Sequence, residues 1–205
     1  MFFLENFKVL LVVFLVFSGQ VEAANLASEK YYHGTYDDNR KLLDNPLVNP
    51  ILANKIKEFL NDAKKEGFTP IIHEVYRTRE KAKKLNEDKS RPASKYSLHI
   101  YGLAVDIWMK NAKNENYSYD SKVVKADPLN YLSYKEWLTF IKIGEKYNLI
   151  NAYKHDDTDH WEYHPNWNKS DWVGGKQYAE PIYQKSKGKT EIDKLKDVWK
   201  SAGVL

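Results

Sequence analysis

The sequence contains no cysteine, and this absence excludes several classes of function at once. Without thiols the chain cannot form disulfides, build a thiolate zinc site or use a cysteine nucleophile. The chain also has little excess charge of either sign, because 32 Lys and Arg residues and 28 Asp and Glu residues give a net charge of only +4. This small excess suits an anionic polymer as a partner, but it does not indicate a nucleic-acid-binding protein.

Long hydrophobic runs are lacking as well. The apolar stretch at residues 9–17 reads VLLVVFLVF, which is far shorter than the roughly 20 residues that a membrane-spanning helix needs. Lys8 precedes it, and Val21 and Ala23 follow as a small-x-small pair, which is typical of a secretory signal peptide. We therefore predict a signal peptide at residues 1–23 and an exported protein, periplasmic or secreted, with no stable membrane insertion after cleavage. The alternative is an uncleaved anchor.

What is present fits a single small α+β domain. The 42% hydrophobic and 29% charged residues are typical of a globular protein. Apolar residues at helical spacing predict helices at 51–66, 79–86, 134–147 and 190–202, and short apolar or alternating runs predict strands at 68–75, 102–109 and 149–153. The expected organisation is an N-terminal arm at 24–50, a core at 51–165, and a loop-rich stretch and amphipathic helix at 166–205 that pack on the core. We expect a monomer.

Two clusters of residues can support chemistry. Residues 97–106 read SLHIYGLAVD, and residues 155–164 read HDDTDHWEYH. In a chain without cysteine, a zinc site must be built from imidazole and carboxylate, and a catalytic site needs three protein ligands. His99, Asp106 and His160 can supply that set. A solvated turn is the alternative interpretation of the acidic cluster, whereas a calcium loop is disfavoured because the central glycine is absent.

Taken together and in this order, the two clusters resemble the VanY-like zinc D-alanyl-D-alanine carboxypeptidases and L-alanyl-D-glutamate endopeptidases of bacterial cell walls. The first cluster matches every fixed position of the family pattern S-x-H-x-x-G-x-A-x-D. In the second, an acidic residue stands three positions before a histidine that an aromatic residue follows. The sequence VYRT at 75–78 is similar to the family's Y-R-[ST] segment.

The resemblance implies a role for each matching residue, within an antiparallel sheet that carries a zinc ion. His99, Asp106 and His160 would bind the metal, and Asp157 would be the general base and acid. Arg77 would stabilise the oxyanion or hold a substrate carboxylate, and Ser97 would support the site through a hydrogen bond. Several alternatives stay open at this point: Asp156 and Asp159 compete with Asp157 for the role of the base, and His155 and His164 compete with His160 as the ligand.

The expected function is therefore that of a secreted zinc metallopeptidase acting on peptidoglycan stem peptides. The motifs do not decide between removal of the terminal D-alanine and internal cleavage, either between L-alanine and D-glutamate or across a D,D-crosslink. An aspartate in the role of the base modestly favours endopeptidase action. The alternative function is that of a catalytically inactive cell-wall-binding protein that keeps the peptidase fold and uses its Trp and Tyr side chains to stack on glycan.

Overall fold

The computed structural model describes residues 37–88, 94–111, 115–117, 132–152 and 157–205. The predicted signal peptide lies outside these residues. The α-helices are α1 (Pro50–Lys65), α2 (Arg79–Glu87), α3 (Tyr134–Glu145), α4 (Asp171–Gly174), α5 (Glu180–Lys185) and α6 (Glu191–Ala202). The strands are β1 (Pro70–Glu74), β2 (Ala104–Lys110), β3 (Asn116–Tyr117), β4 (Ile150–Asn151) and β5 (His160–Glu162). Short 3-10 helices span Arg40–Asp44 and Leu98–Tyr101. The predicted α+β class is confirmed. No helix among these residues has the length and apolarity to cross a membrane.

The sheet is antiparallel and follows the order β1-β2-β5-β4, with β3 paired to the far end of β2. Strand β2 lies between β1 and β5, and Asp106 at its centre is in register with His160 on one side and Glu74 on the other. Since side chains alternate along a strand, β2 turns Val105, Ile107 and Met109 toward a buried core. Asp106 and Trp108 therefore lie on the opposite face of the sheet.

Helix α1 covers the apolar face of the sheet. The Asn49 side chain caps the helix by accepting hydrogen bonds from the backbone N–H groups of Ile51 and Leu52, and Pro50 occupies the first turn, where it has no hydrogen bond to lose. The buried residues of α1 recur at three- and four-residue intervals and form one stripe against the sheet: Leu52, Ala53, Ile56, Phe59, Leu60 and Ala63. Helix α3 completes this layer and begins with a capping box formed by Ser133 and Glu136.

Gly144 of α3 packs directly on the indole of Trp161, the residue that follows His160. A Cβ atom at Gly144 would lie 2.1 Å from Trp161 Cζ3. We expect Gly144→Ala to lower the free energy of unfolding by about 1–3 kcal/mol, since overpacking outweighs the helical preference of alanine. Urea denaturation measures the change. Lys142→Ala, an exposed position on the same helix, should stay within about 0.5 kcal/mol of wild type; an equal effect of both substitutions would contradict the packing argument.

The prediction that residues 166–188 are loop-rich is wrong over much of its length. Helix α4, a π-helical turn at Gly175–Ala179 and α5 follow one another without a break. Paired glycines and Pro181 give this stretch a low intrinsic helix propensity. Tertiary packing overrides that propensity: Ala179 and Tyr183 are buried, and a Cβ at Gly175 would lie 1.8 Å from the Tyr96 carbonyl oxygen.

The C-terminal helices form a second core with the segment that precedes β2. The Trp199 indole N–H donates to the Tyr101 carbonyl at 2.7 Å, and the Asn49 side-chain amide donates to the Val204 carbonyl at 3.0 Å. Glu180 of α5 accepts hydrogen bonds from the Tyr101 hydroxyl at 2.5 Å and from Arg79 at 2.9 Å. The contacts of Tyr101 hold the 3-10 turn Leu98–Tyr101 against α5 and α6.

Candidate metal centre

His99, Asp106 and His160 meet at one point on the polar face of the sheet. His99 Nε2 lies 2.9 Å from Asp106 Oδ1 and 3.0 Å from His160 Nδ1, and the last two atoms are 3.0 Å apart. The cross-strand register supplies two of the residues, since Asp106 and His160 are direct partners in β2 and β5. The predicted grouping is thus present in the structure.

The third residue is placed by the 3-10 turn Leu98–Tyr101, which ends at Gly102. Gly102 has φ +64°, and a Cβ there would lie 2.1 Å from the Leu47 carbonyl oxygen. Only glycine adopts this backbone conformation readily and also tolerates so close an approach. Gly102 therefore allows the chain to reverse from His99 into β2.

In each histidine, the ring nitrogen that faces away from the group (the outer nitrogen) already makes a hydrogen bond. This bond determines the protonation of the other ring nitrogen, which faces the group. His99 Nδ1 donates to the Val75 carbonyl at 2.6 Å, and His160 Nε2 donates to the Glu162 carboxylate at 2.9 Å. In the neutral tautomers that these bonds select, the lone pairs of His99 Nε2 and His160 Nδ1 both point toward Asp106 Oδ1. Three converging acceptor atoms repel one another unless a cation lies between them.

The geometry suits a metal ion. Ligand atoms about 2.0–2.1 Å from a tetrahedral zinc lie about 3.3 Å from one another, so the three atoms need only a slight expansion. In the described parts of the chain, these three residues are the one group of His, Asp and Glu side chains found close enough to hold a metal ion. The His99–Asp106–His160 group can bind a metal.

The electrostatics of the group also attract positive charge. Burial alone raises the pKa of Asp106, but the charges and hydrogen bonds of His99 and His160 outweigh burial and hold it well below its usual value. Burial alone lowers the pKa of His160, but hydrogen bonds to Asp106 and Glu162 raise it well above its usual value. Both shifts favour positive charge among the three ligand atoms.

Glu162 is a site residue that sequence reasoning missed. Its side chain is fully buried and accepts hydrogen bonds of 2.9 Å from both His160 Nε2 and His164 Nε2. Burial raises the pKa of its carboxyl, but these two hydrogen bonds overcome burial and bring the pKa down to about 2. His160, Glu162 and His164 stand two residues apart in the sequence, and this spacing was the signal that could have found Glu162, because residues two apart in an extended segment share a face.

We expect Glu162→Gln to weaken metal binding about 10–100-fold, as is usual when the hydrogen-bond partner of a metal-bound histidine is altered. Competition titration with a chromogenic chelator measures the affinity. The control is Glu191→Gln, since Glu191 also accepts hydrogen bonds from two side chains, Tyr76 and Tyr183, but belongs to α6. Unchanged affinity in Glu162→Gln would mean that this carboxylate does not support the site.

Asp157, the residue predicted to be the general base, lies near the metal group. Burial raises the pKa of Asp157 to about 7, aided by a hydrogen bond with Asp159 and by the negative charges of Asp159 and Asp106, while His160 opposes the rise. Asp159 is held by another contact, because the Trp108 indole N–H donates to its Oδ2. Asp157 is thus a carboxyl group close enough to the metal group to interact electrostatically with Asp106 and His160, a position from which a general base can act.

Arg77 is buried next to the ligand carboxylate. Its Nη2 donates to Glu74 Oε2 at 2.6 Å and lies 3.9 Å from Asp106 Oδ2, and its backbone N–H donates to the His99 carbonyl. Lys81 also binds Glu74, at 2.6 Å. The structure therefore brings Arg77 to the edge of the metal group, with one guanidinium nitrogen already engaged.

The remaining candidates are placed as follows. His155 and Asp156 lie outside the described residues. His164 is buried, contacts Glu162 and stacks on Trp167 with ring centroids 5.5 Å apart, so it takes no part in the convergent group. Ser97 is buried immediately before the turn that carries His99. Its supporting role stays a prediction, since the outer ring nitrogens of the two histidines bind Val75 and Glu162.

The sequence was also compared with known proteins. No protein-family model matches the chain, and no curated protein does so either. The function is therefore inferred from the geometry of the site and from its motifs.

Proposed function

We propose that this protein is a secreted zinc metallopeptidase that hydrolyses amide bonds in peptidoglycan stem peptides. The observation that carries the proposal is the convergence of two imidazoles and a carboxylate within 4.8 Å of one another, with the Asp157 carboxyl nearby. The order and spacing of the same residues resemble those of VanY-like peptidases. Two histidines and one acidic residue form a common ligand set of catalytic zinc sites.

His99, Asp106 and His160 would hold the zinc. A zinc ion bound there would lower the pKa of a water molecule toward about 7 and polarise the scissile carbonyl. Val75 and Glu162 keep both imidazoles in the tautomer that ligation requires. The ligand set is therefore preorganised by the fold.

Asp157 would move the proton. Its carboxylate accepts a proton from the attacking water as the new C–O bond forms. It then returns that proton to the leaving amine nitrogen as the C–N bond breaks, so no proton is gained or lost overall. A carboxyl group can do both, because it is a base when ionised and an acid once it has taken up the proton.

Arg77 would contribute positive charge next to the reacting carbonyl. Guanidinium stays protonated in any working pH range, and it can stabilise an oxyanion without donating its proton. Its hydrogen bond to Glu74 holds the side chain in place. This contact supports a positioned cation at the edge of the site.

Digestion of purified peptidoglycan tests the proposal. We expect the exported protein to release new amino termini, the release to stop with a chelator, and zinc to restore it. Mass spectrometry of the products identifies the bond. Binding to peptidoglycan without any new termini at full zinc occupancy would overturn the proposal and favour the catalytically inactive wall-binding protein.

A further inference from the structure

The indole of Trp108 joins strand β2 to the acidic segment that precedes β5. Trp108 is half-buried and stands two residues after Asp106, so both side chains lie on the polar face of the sheet. Its indole N–H donates to Oδ2 of Asp159, the residue immediately before the proposed ligand His160. Trp108 therefore contacts the neighbourhood of the proposed base without belonging to the group of metal ligands.

The backbone of this acidic segment is held from two sides. The Ile107 backbone N–H donates to the Asp159 carbonyl at 2.8 Å, and the Asn151 side-chain amide donates to the Thr158 carbonyl at 3.0 Å. Asp157 comes just before these anchored residues, and its carboxyl shares a hydrogen bond with the Asp159 side chain. Because the backbone at 159 is fixed, the direction of the Asp159 side chain determines where that hydrogen bond can form.

His73 covers one face of the indole. The two rings stack with centroids 4.1 Å apart and an interplanar angle of 14°. His73 is an extra residue in β1, because the register with β2 shifts between Ile72 and Glu74. Such a β-bulge redirects a side chain, and here it places the exposed His73 ring over the half-buried indole. The indole is thus held at its N–H by Asp159 and across one face by His73.

We propose that Trp108 is a positioning residue for the base: its N–H orients Asp159, and Asp159 orients Asp157 beside the metal group. This inference rests on the proposed function. A general base acts only within hydrogen-bond reach of the proton that it takes up, and a misplacement of about 1 Å can cost about 10²-fold in rate. Asp157 precedes β5, so strand pairing does not place its side chain. The contacts from Trp108 through Asp159 supply that placement.

Steady-state kinetics of Trp108→Phe at matched zinc occupancy tests the proposal. Phenylalanine keeps a flat ring next to His73 but has no N–H to donate to Asp159. We expect kcat to fall about 10–100-fold, with KM within about twofold of the wild-type value. Trp137→Phe is the matched control and should keep the wild-type kcat, because Trp137 is buried in the core on the other side of the sheet. An unchanged kcat in Trp108→Phe, or a rise in KM alone, would overturn the proposal.

A double variant shows whether Trp108 acts through Asp159. We expect Asp159→Ala to lower kcat as Trp108→Phe does, and the double variant to fall no further, because both substitutions break the same series of contacts. Asp159→Asn should retain most of the activity, since it keeps an oxygen for the indole N–H. Effects that multiply in the double variant would mean that Trp108 acts by another route.

His73 is tested by a pair of substitutions. We expect His73→Ala to lower kcat by up to about tenfold, since it removes the stacked ring, and His73→Phe to restore it. Wild-type kcat in His73→Ala would overturn the role of His73.

The carboxyl-carbon NMR resonance of Asp157 provides a measurement that does not depend on catalysis. We expect Trp108→Phe to shift this resonance and Trp137→Phe to leave it in place. No shift in Trp108→Phe would overturn the positioning role and leave the peptidase intact. A shift in a protein that hydrolyses no peptidoglycan would instead support the link between Trp108 and Asp157 and overturn the proposed function.

Discussion

His160→Ala is expected to lose nearly all bound zinc. The substitution removes one of three proposed ligands and leaves the partly buried Asp106 and the buried Glu162 without the imidazole that bridges them. Removing one partner of a buried charged group costs several kcal/mol, so some loss of stability should accompany the loss of metal. Elemental analysis of the purified protein measures the zinc content, and circular dichroism reports whether the fold is retained.

His164→Ala is the matched control. It removes another buried imidazole that binds the same Glu162 carboxylate at the same 2.9 Å distance, but this imidazole is not part of the convergent group. We expect it to keep zinc near one equivalent. Full zinc in His160→Ala, with loss in His164→Ala, would mean that the wrong histidine has been assigned as the ligand.

Asp157→Asn is expected to keep zinc and to lower turnover by about 10²–10⁴-fold, the usual contribution of general acid–base catalysis. The asparagine side chain has almost the same shape, but it cannot accept a proton at neutral pH. Asp157 is also outside the convergent ligand group. The rate of new amine release from peptidoglycan, measured at matched zinc occupancy, provides the comparison.

Asp159→Asn separates proton transfer from positioning. An asparagine at 159 keeps an oxygen for the Trp108 indole N–H and a polar partner for Asp157. We therefore expect it to reduce turnover far less than Asp157→Asn does. If Asp159→Asn abolishes turnover while Asp157→Asn remains active, the base has been assigned two residues too early. If both variants are fully active, the base lies elsewhere.

The local pattern of the sequence was sufficient to predict most of the fold. Helix α6 has Thr190 as its cap and one apolar stripe, and β2 alternates between buried and half-buried residues, so both elements could be predicted. The helical stretch α4–α5 could not be predicted, because Gly174, Gly175 and Pro181 signal the opposite. Its stability comes from contacts with residues more than 70 positions away, such as that between Gly175 and Tyr96.

The candidate site, like the fold, could be predicted from the sequence only in part. Residue chemistry proposed His99, Asp106 and His160 as a ligand set, and the resemblance of the motifs favoured His160 over His155 and His164. The hydrogen-bond partners of the outer ring nitrogens could not be predicted from residue chemistry or motifs. Val75, for example, contributes only a backbone carbonyl, which carries no sequence signature. The spacing of Glu162 from His160 and His164 was a signal for its role. A fully buried glutamate is rare, however, so the pattern alone did not predict that its side chain faces the interior.

The hydrogen bond between Asn49 and Val204 joins residues 155 positions apart. The hydrogen bond between Trp199 and Tyr101 joins residues 98 positions apart. Contacts of such long sequence separation require the closure of a large loop, which is slow. The turn that carries His99 must therefore wait for α6 before the Trp199 indole N–H can hold it. The proposed peptidase would acquire its metal-binding geometry only once its last helix is in place, so a chain cut short before α6 should emerge without zinc and without activity.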